Sequence, residues 1–187
     1  MPTTTLYLPP HLGTFTLTAD DAGLSSLLFP EEVEQEGLIS RAGSVEGAGV
    51  TTLATSAPCS SSAAPAVPET ASPLLQEAAR QVLAYLNGRL FHFDLPLSYG
   101  GTAFQRQVWQ ELLAIPYGET MSYGELAAKI GNRNKARAVG GAAHVNPIGI
   151  IIPCHRLIGA SGSLTGFGGG LAMKETLLAM ERKHRRK

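Results

Sequence analysis

Two capping boxes set twenty residues apart do most to limit how this chain can fold. Thr102-Ala103-Phe104-Gln105 and Ser122-Tyr123-Gly124-Glu125 each put a hydroxyl at a helix start and a Gln or Glu three residues on. In each, side chain and backbone satisfy orphan donors reciprocally. The first box opens a helix with Phe104, Val108, Leu112 and Ile115 on one face, stopped by Pro116 and Gly118. The second opens a short helix through Leu126 and Ile130 to Gly131. The polar turn Asn132-Arg133-Asn134-Lys135 then leads into a third helix over 136–144, closed by Asn146-Pro147. Two short helices about a turn read as a helix-turn-helix, with 136–144 as the recognition helix.

That third helix carries two oddities. Gly140 and Gly141 each cost about 1 kcal/mol relative to Ala, which implies a helix packed or docked closely against something. Arg137 sits in the first turn, where a cation opposes the helix dipole. Contact with a phosphate or base accounts for it, as does a solvated or salt-bridged side chain.

Ile152-Pro153-Cys154-His155-Arg156, delivered by the apolar run 148–152, proposes a chemistry. A free thiol titrates near ~8.5 and needs a base or a positive field to become a competent nucleophile. His155 and Arg156 offer both. In an extended strand neighbours face opposite ways, so Cys154 and His155 meet only if the backbone turns at Pro153 or a water bridges them. The alternative is that Cys154 is a small buried hydrophobe ending a core strand.

The first half reads as an antiparallel meander, with strands over 5–8, 13–18 and 24–29 and a turn at Asp20-Asp21-Ala22-Gly23. Residues 42–72, dominated by Ala, Gly, Ser, Thr and Pro, form a low-complexity loop too poor in large apolar groups to fold alone. Ser72-Pro73 caps a helix over 73–86, with Leu75, Ala79, Val82 and Leu86 on one face and Gly88 past its end. Residues 91–97 read as a strand or extended connector. The expected fold class is α+β, with an N-terminal domain over 1–98 and a mostly helical one over 102–187.

Net charge is zero, which at first argues against nucleic acid. Its distribution argues otherwise. Residues 1–101 carry 3 Lys/Arg against 10 Asp/Glu, a balance of −7, and residues 102–187 carry 12 against 5, a balance of +7. A basic domain of this kind points to a polyanion partner. The tail Lys183-His184-Arg185-Arg186-Lys187 supplies four of the twelve cations and reads equally as a solvated end, but eight remain against five acids. Two cysteines, Cys59 and Cys154, make no disulfide framework. Residues 1–15 have neither a basic start nor an apolar run of signal length, and no segment reaches the ~20 apolar residues of a membrane span. A cytoplasmic protein without membrane contact is expected.

After the Cys segment comes a Gly-rich loop over 159–170, which lacks the Gly-Lys-Ser/Thr ending of a phosphate loop. A final helix over 171–182 follows, with Leu171, Leu177 and Leu178 as core candidates. Glu181 lies near its C-terminus, unfavourably for the dipole, and His155 is the obvious partner.

Thr120-Met121-Ser122-Tyr123, Arg137-Ala138-Val139-Gly140-Gly141-Ala142, Asn146-Pro147, Ile152-Pro153-Cys154-His155-Arg156 and the Gly-rich loop occur in an order that resembles the O6-alkylguanine-DNA alkyltransferases. The resemblance covers 104–181, and the first half shares only the outline of strands followed by a helix. It implies a ribonuclease-H-like N-terminal domain and a winged-helix-like C-terminal one. It further implies that Cys154 takes the alkyl group from O6-alkylguanine, or O4-alkylthymine, in one irreversible step. His155 would act as base through a water, Glu181 would orient His155, and Asn146 would brace the turn. Tyr123 would donate to the purine, with the Leu157 carbonyl and Gly168 amide on the base edges. Arg137 would replace the flipped nucleotide in the stack, and Gln105, Gly124, Asn132 and Ala160 would make further DNA contacts.

By the same resemblance the partner is double-stranded DNA carrying O6-alkylguanine, the chain is a monomer and no cofactor is expected, and with only Cys59 and Cys154 there is no set of thiols for a structural zinc, so no metal is expected. Phe167 stands where a Tyr is common in the family, and the small Ala143 widens the interior. The competing reading is a non-reacting sensor of alkylated bases, which in alkyltransferase-like proteins has another residue at the Cys position. A cysteine hydrolase on another substrate leaves the helix-turn-helix and the charge division unexplained.

Overall fold

The computed structural model describes residues 1–7, 14–29 and 71–185. The expected loop at 42–72 lies outside them except for Ala71 and Ser72, and Cys59 lies outside them altogether.

Strands β1 (Thr3–Tyr7), β2 (Thr14–Ala19) and β3 (Leu24–Leu28) form the expected antiparallel meander. Alternation along β2 buries Phe15, Leu17 and Ala19 and leaves the threonines between them half-buried, as a sheet with one covered face requires. Asp20 fixes the β2–β3 turn. Its Oδ1 accepts from the amides of Ala22 and Gly23 at 2.8 and 2.9 Å, and its Oδ2 accepts from Ser98 Oγ at 2.8 Å. Helix α1 (Pro73–Leu86) starts on Ser72, whose Oγ accepts from the Leu75 amide, and buries Leu75, Ala78, Ala79, Val82 and Tyr85. Residues 91–97 are the extended connector, not a strand, and close with a parallel bridge from Leu97 to Leu24. Gly23 makes that approach possible, since a Cβ there would lie 2.5 Å from the Pro96 carbonyl oxygen.

Both capping boxes form as expected. Thr102 Oγ1 and Ser122 Oγ accept from the amides of Gln105 and Glu125, whose side chains accept from the Thr102 and Ser122 amides in return. They open α2 (Ala103–Leu113) and α3 (Tyr123–Lys129). A 3-10 turn at Arg133–Lys135 leads into α4 (Ala136–His144). Trp109 Nε1 on α2 donates to the Ala142 carbonyl on α4 at 2.9 Å, tying the two helices together.

The last helix, α5 (Gly170–His184), buries Lys174, Leu177, Leu178 and Glu181. Leu171, expected in the core, is 49% exposed because the buried stripe begins a turn later, at Lys174.

Two pairings across the halves position the Cys segment. Leu27 on β3 bridges in parallel to Ile148, its amide donating to the Pro147 carbonyl at 2.8 Å while the Gly149 amide donates to the Leu27 carbonyl at 3.2 Å. The edge of the sheet thus anchors the chain six residues before Cys154. Strands β4 (Met121–Ser122) and β5 (Leu157–Ile158) pair in parallel, holding the residues after the Cys segment beside the start of α3. The apolar run is not the core strand that one sequence reading required. It bridges once and then turns, with Ile150 at φ +66°, a conformation sterically costly for a β-branched residue.

Candidate active site

Cys154–Arg156 is a single 3-10 turn, so the backbone does turn at Pro153. The turn is held from behind by Asn146. Its Oδ1 accepts from the Ile148 amide at 3.1 Å, and its Nδ2 donates to the Ile152 carbonyl at 2.8 Å and to Cys154 Sγ at 3.1 Å. An acceptor facing the backbone N–H and a donor facing the carbonyl settle the amide's orientation. The donor on Sγ favours the thiolate.

Behind the thiol lies a buried polar cluster centred on Glu181. Its Oε1 is 3.0 Å from His155 Nε2 and accepts from Tyr85 Oη at 2.6 Å, and its Oε2 accepts from the Gly118 amide at 2.9 Å. Arg156 donates to it through Nε at 3.0 Å and Nη2 at 2.8 Å, and through Nη1 to the Ile115 carbonyl at 2.5 Å. Burial by itself raises the carboxyl's pKa, but hydrogen bonds from His155 and Arg156 and the charge of Arg156 outweigh it and hold Glu181 at about 2. His155 is fully buried, and burial pushes its pKa below the usual value against the pull of Glu181. It is therefore neutral at pH 7, and its contact with Glu181 is a hydrogen bond to a carboxylate, not an ion pair. Its Nδ1 is buried with no hydrogen-bond partner among the described residues.

Arg156 turns its guanidinium onto Glu181 and stacks it 5.7 Å from the centroid of Tyr117, so its hydrogen bonds serve the cluster behind the thiol.

In front of the thiol is a cavity of about 450 Å³. Cys154, Tyr123, Gly140, Ala143, Thr165 and Phe167 line it, together with the exposed Arg137. Tyr123 Oη donates to the Thr165 carbonyl at 3.0 Å, so its proton is engaged across the cavity wall. Leu157 and Gly168 are not among the residues that line the cavity. Gln105 and Asn132 have their side-chain oxygens committed to helix starts. Gly124 has open space beside it and Ala160 is exposed.

Among the described residues, nothing approaches Gly140 or Gly141 closely enough to exclude a Cβ. A Cβ on Gly140 would make ordinary contact with Tyr123 at 3.7 Å, and one on Gly141 would meet nothing within 4 Å.

Three residues at the site escaped the sequence reading. Lys174 is fully buried, and its Nζ donates to the Thr165 carbonyl at 2.7 Å, pinning the Gly-rich loop. Burial lowers its pKa, with Cys154 acting against the shift. The signal was its place on the stripe 174, 177, 178, 181, where a charged residue is costly unless paired. Tyr85 continues the buried stripe of α1 through Val82, and His144, in the last turn of α4, lines the cavity.

Comparison with known proteins adds the family. Residues 5–99 match the 6-O-methylguanine DNA methyltransferase ribonuclease-like domain, and residues 103–183 match the DNA binding domain of the same proteins. The chain belongs to the 6-O-methylguanine DNA methyltransferase family. Among the relatives of this methyltransferase family member is a methylated-DNA–protein-cysteine methyltransferase of Mycolicibacterium paratuberculosis, 59% identical over 107 residues. That match spans 57% of this chain and 65% of the relative's length. The crystal structure of Mycobacterium tuberculosis O6-methylguanine methyltransferase is 38% identical with a TM-score of 0.70, covering 97% of this chain and 95% of that one. The crystal structure of Mycobacterium tuberculosis OGT in complex with DNA is 37% identical with a TM-score of 0.69, covering 95% and 91%.

Proposed function

We propose that the chain repairs duplex DNA by moving the alkyl group of O6-alkylguanine onto Cys154, once per molecule. The observation that carries this reading is the placing of one thiol, hydrogen-bonded by Asn146, inside a cavity that the recognition helix α4 also lines. An extruded base entering that cavity meets Sγ. The S–C bond forms as the O6–C bond breaks, and the electron pair passes into the purine, where a proton from Tyr123 meets the developing charge. Tyr123 must exchange its bond to Thr165 for one to the base. The thiol proton goes to His155 Nδ1 through a water, which gives that buried nitrogen its partner, while Glu181 orients the ring.

Extrusion costs a few kcal/mol, and Arg137 offsets part of it by filling the emptied place in the stack. Leu157 and Gly168 hold the base edges through backbone groups, and Gln105, Gly124, Asn132 and Ala160 touch the surrounding DNA. The first 98 residues form the ribonuclease-H-like domain and residues 102–187 the winged-helix-like one, acting as a monomer in the reducing cytoplasm, where the thiol survives. O4-alkylthymine is the second substrate to try. A non-reacting sensor has no use for a thiol so placed.

Incubation with a duplex carrying O6-methylguanine is expected to add one methylene unit to the intact mass, mapped to Cys154. Cys154→Ser is expected to bind the duplex and take nothing. An unmodified wild-type Cys154 with the lesion intact sinks the reading.

A further inference from the structure

We propose that Tyr85 is a positioning residue of the acceptor site, its hydroxyl joining Glu181 in keeping the ring proton of His155 on Nε2 and setting how readily the ring takes a second. The inference rests on Cys154 being the acceptor and His155 its base.

Tyr85 Oη, His155 Nε2 and Glu181 Oε1 form a closed triangle with sides of 2.6, 3.0 and 3.2 Å. The carboxylate, held at about 2, can only accept at neutral pH. Burial and the charge of Glu181 push the Tyr85 phenol well above its ordinary pKa, so it keeps its proton. At 2.6 Å that proton is committed to Oε1, leaving the phenol oxygen as a second acceptor facing Nε2. An unprotonated Nε2 would set its lone pair against two others in a dry site. Nε2 is therefore the protonated nitrogen, and the buried Nδ1 keeps the lone pair that a base needs.

The hydroxyl also tempers Glu181. Around the imidazole stand Glu181 and Lys174 on α5, Arg156 and Cys154 on its own turn, and Tyr85 on α1. Of these, Arg156 and Lys174 oppose a second ring proton and Glu181 favours it. Donation from Tyr85 spreads the carboxylate's charge and weakens its hold on an imidazolium. Removing the hydroxyl also deletes an acceptor for Nε2. That loss is the smaller one, because a shared 3.2 Å bond to a neutral oxygen is weaker than a 2.6 Å charge-assisted bond. Packing alone does not explain the hydroxyl. The Tyr85 ring meets Phe93 and Tyr117 through its faces and edges, which a Phe would do equally well.

The test uses the full chain labelled with 15N-histidine, the His155 ring being assigned through His155→Gln and followed from about pH 5 to 9. Wild type is expected to show protonated Nε2 and bare Nδ1. In Tyr85→Phe the midpoint of ring protonation is expected to rise by about half a unit or more. The acid limb of the pH–rate profile for methyl transfer is expected to move with it. A ring-fluorinated tyrosine at position 85, a stronger donor of nearly the same size, should move the midpoint down, and it keeps the test alive if Tyr85→Phe folds poorly. A hydroxyl that served only stability would lower the melting temperature, or the rate at every pH, without moving the midpoint. That result, or a wild-type ring protonated on Nδ1, overturns the proposal. Because the ring measurement needs no DNA, a wild-type chain that takes no methyl group would sink the proposed function and leave the role of Tyr85 to be judged separately.

Discussion

Glu181 concentrates at one residue what the cluster costs and returns. A fully buried carboxylate is tolerable only when its lone pairs are filled, and here a phenol, an imidazole, a guanidinium and an amide fill them. Its pKa falls from 4.5 to about 2, so the unfolded chain takes up the proton first as pH drops. The stabilisation, on the order of 3 kcal/mol, is complete above about pH 4.5 and lost as pH falls toward 2. His155 adds to this from a higher pH. Its folded pKa is depressed by burial, so stability also declines as pH falls below the unfolded value of about 6.5. Glu77 has a similar depression, set first by its hydrogen bonds with Arg80 and Gln81, but its side chain is 40% exposed, and solvent screens its contribution. Denaturant titrations from about pH 7 to 3 should therefore show a two-stage loss of stability. Glu181→Gln should be about 3–5 kcal/mol less stable at pH 7, since Arg156 is left buried without its countercharge, and should lack the lower stage. Glu77→Gln should keep both stages.

Helix α4 shows at the element scale how stability and function divide. Gly141 has open space where a Cβ would go, so Gly141→Ala should stabilise the fold by up to about 1 kcal/mol through helix propensity alone. If the glycine face is where DNA docks, the same substitution should slow transfer from duplex while leaving transfer from the free base O6-benzylguanine unchanged. Arg137→Ala should give the same split in rate without the gain in stability. Equal slowing on both substrates refutes the docking role for either residue. The sequence showed α4, α2 and α3 because capping boxes, turn residues and periodicity are local signals. It showed the strands to within a residue or two for the same reason. It did not show the two-residue β4–β5 pair, whose partners are more than thirty positions apart, nor Tyr85 and Lys174, whose meaning lies in what faces them. The glycines were read as marking a helix packed or docked closely against something, and among the described residues no close packing partner takes up that space.

On the scale of the whole molecule, the acidic half builds part of the site. Tyr85 reaches Glu181 from α1, and β3 grips Ile148 ahead of the Cys turn. Phe29, just past β3, packs edge-on to Phe15 and to Phe167 of the cavity lining, at 5.2 and 5.1 Å between centroids. It also lies where a Cβ on Gly149 or Gly169 would fall, so the glycines of the second half are shaped around a ring of the first. One buried cluster runs from Phe15 to Leu177 without a break between the halves, which predicts a single cooperative transition instead of two domain transitions. Phe29→Ala should cost about 3–5 kcal/mol and shift both halves together. The sole tryptophan, Trp109, reports the second half by fluorescence, and hydrogen exchange of the β2 amides reports the first. The two probes should give superimposable denaturation curves in wild type and variant, since no part of the core can be lost while the rest keeps its neighbours. A first-half transition that separates from the Trp109 signal would mean that the seam at Phe29 and Ile148 is too weak for the acidic half to hold the Cys turn in place.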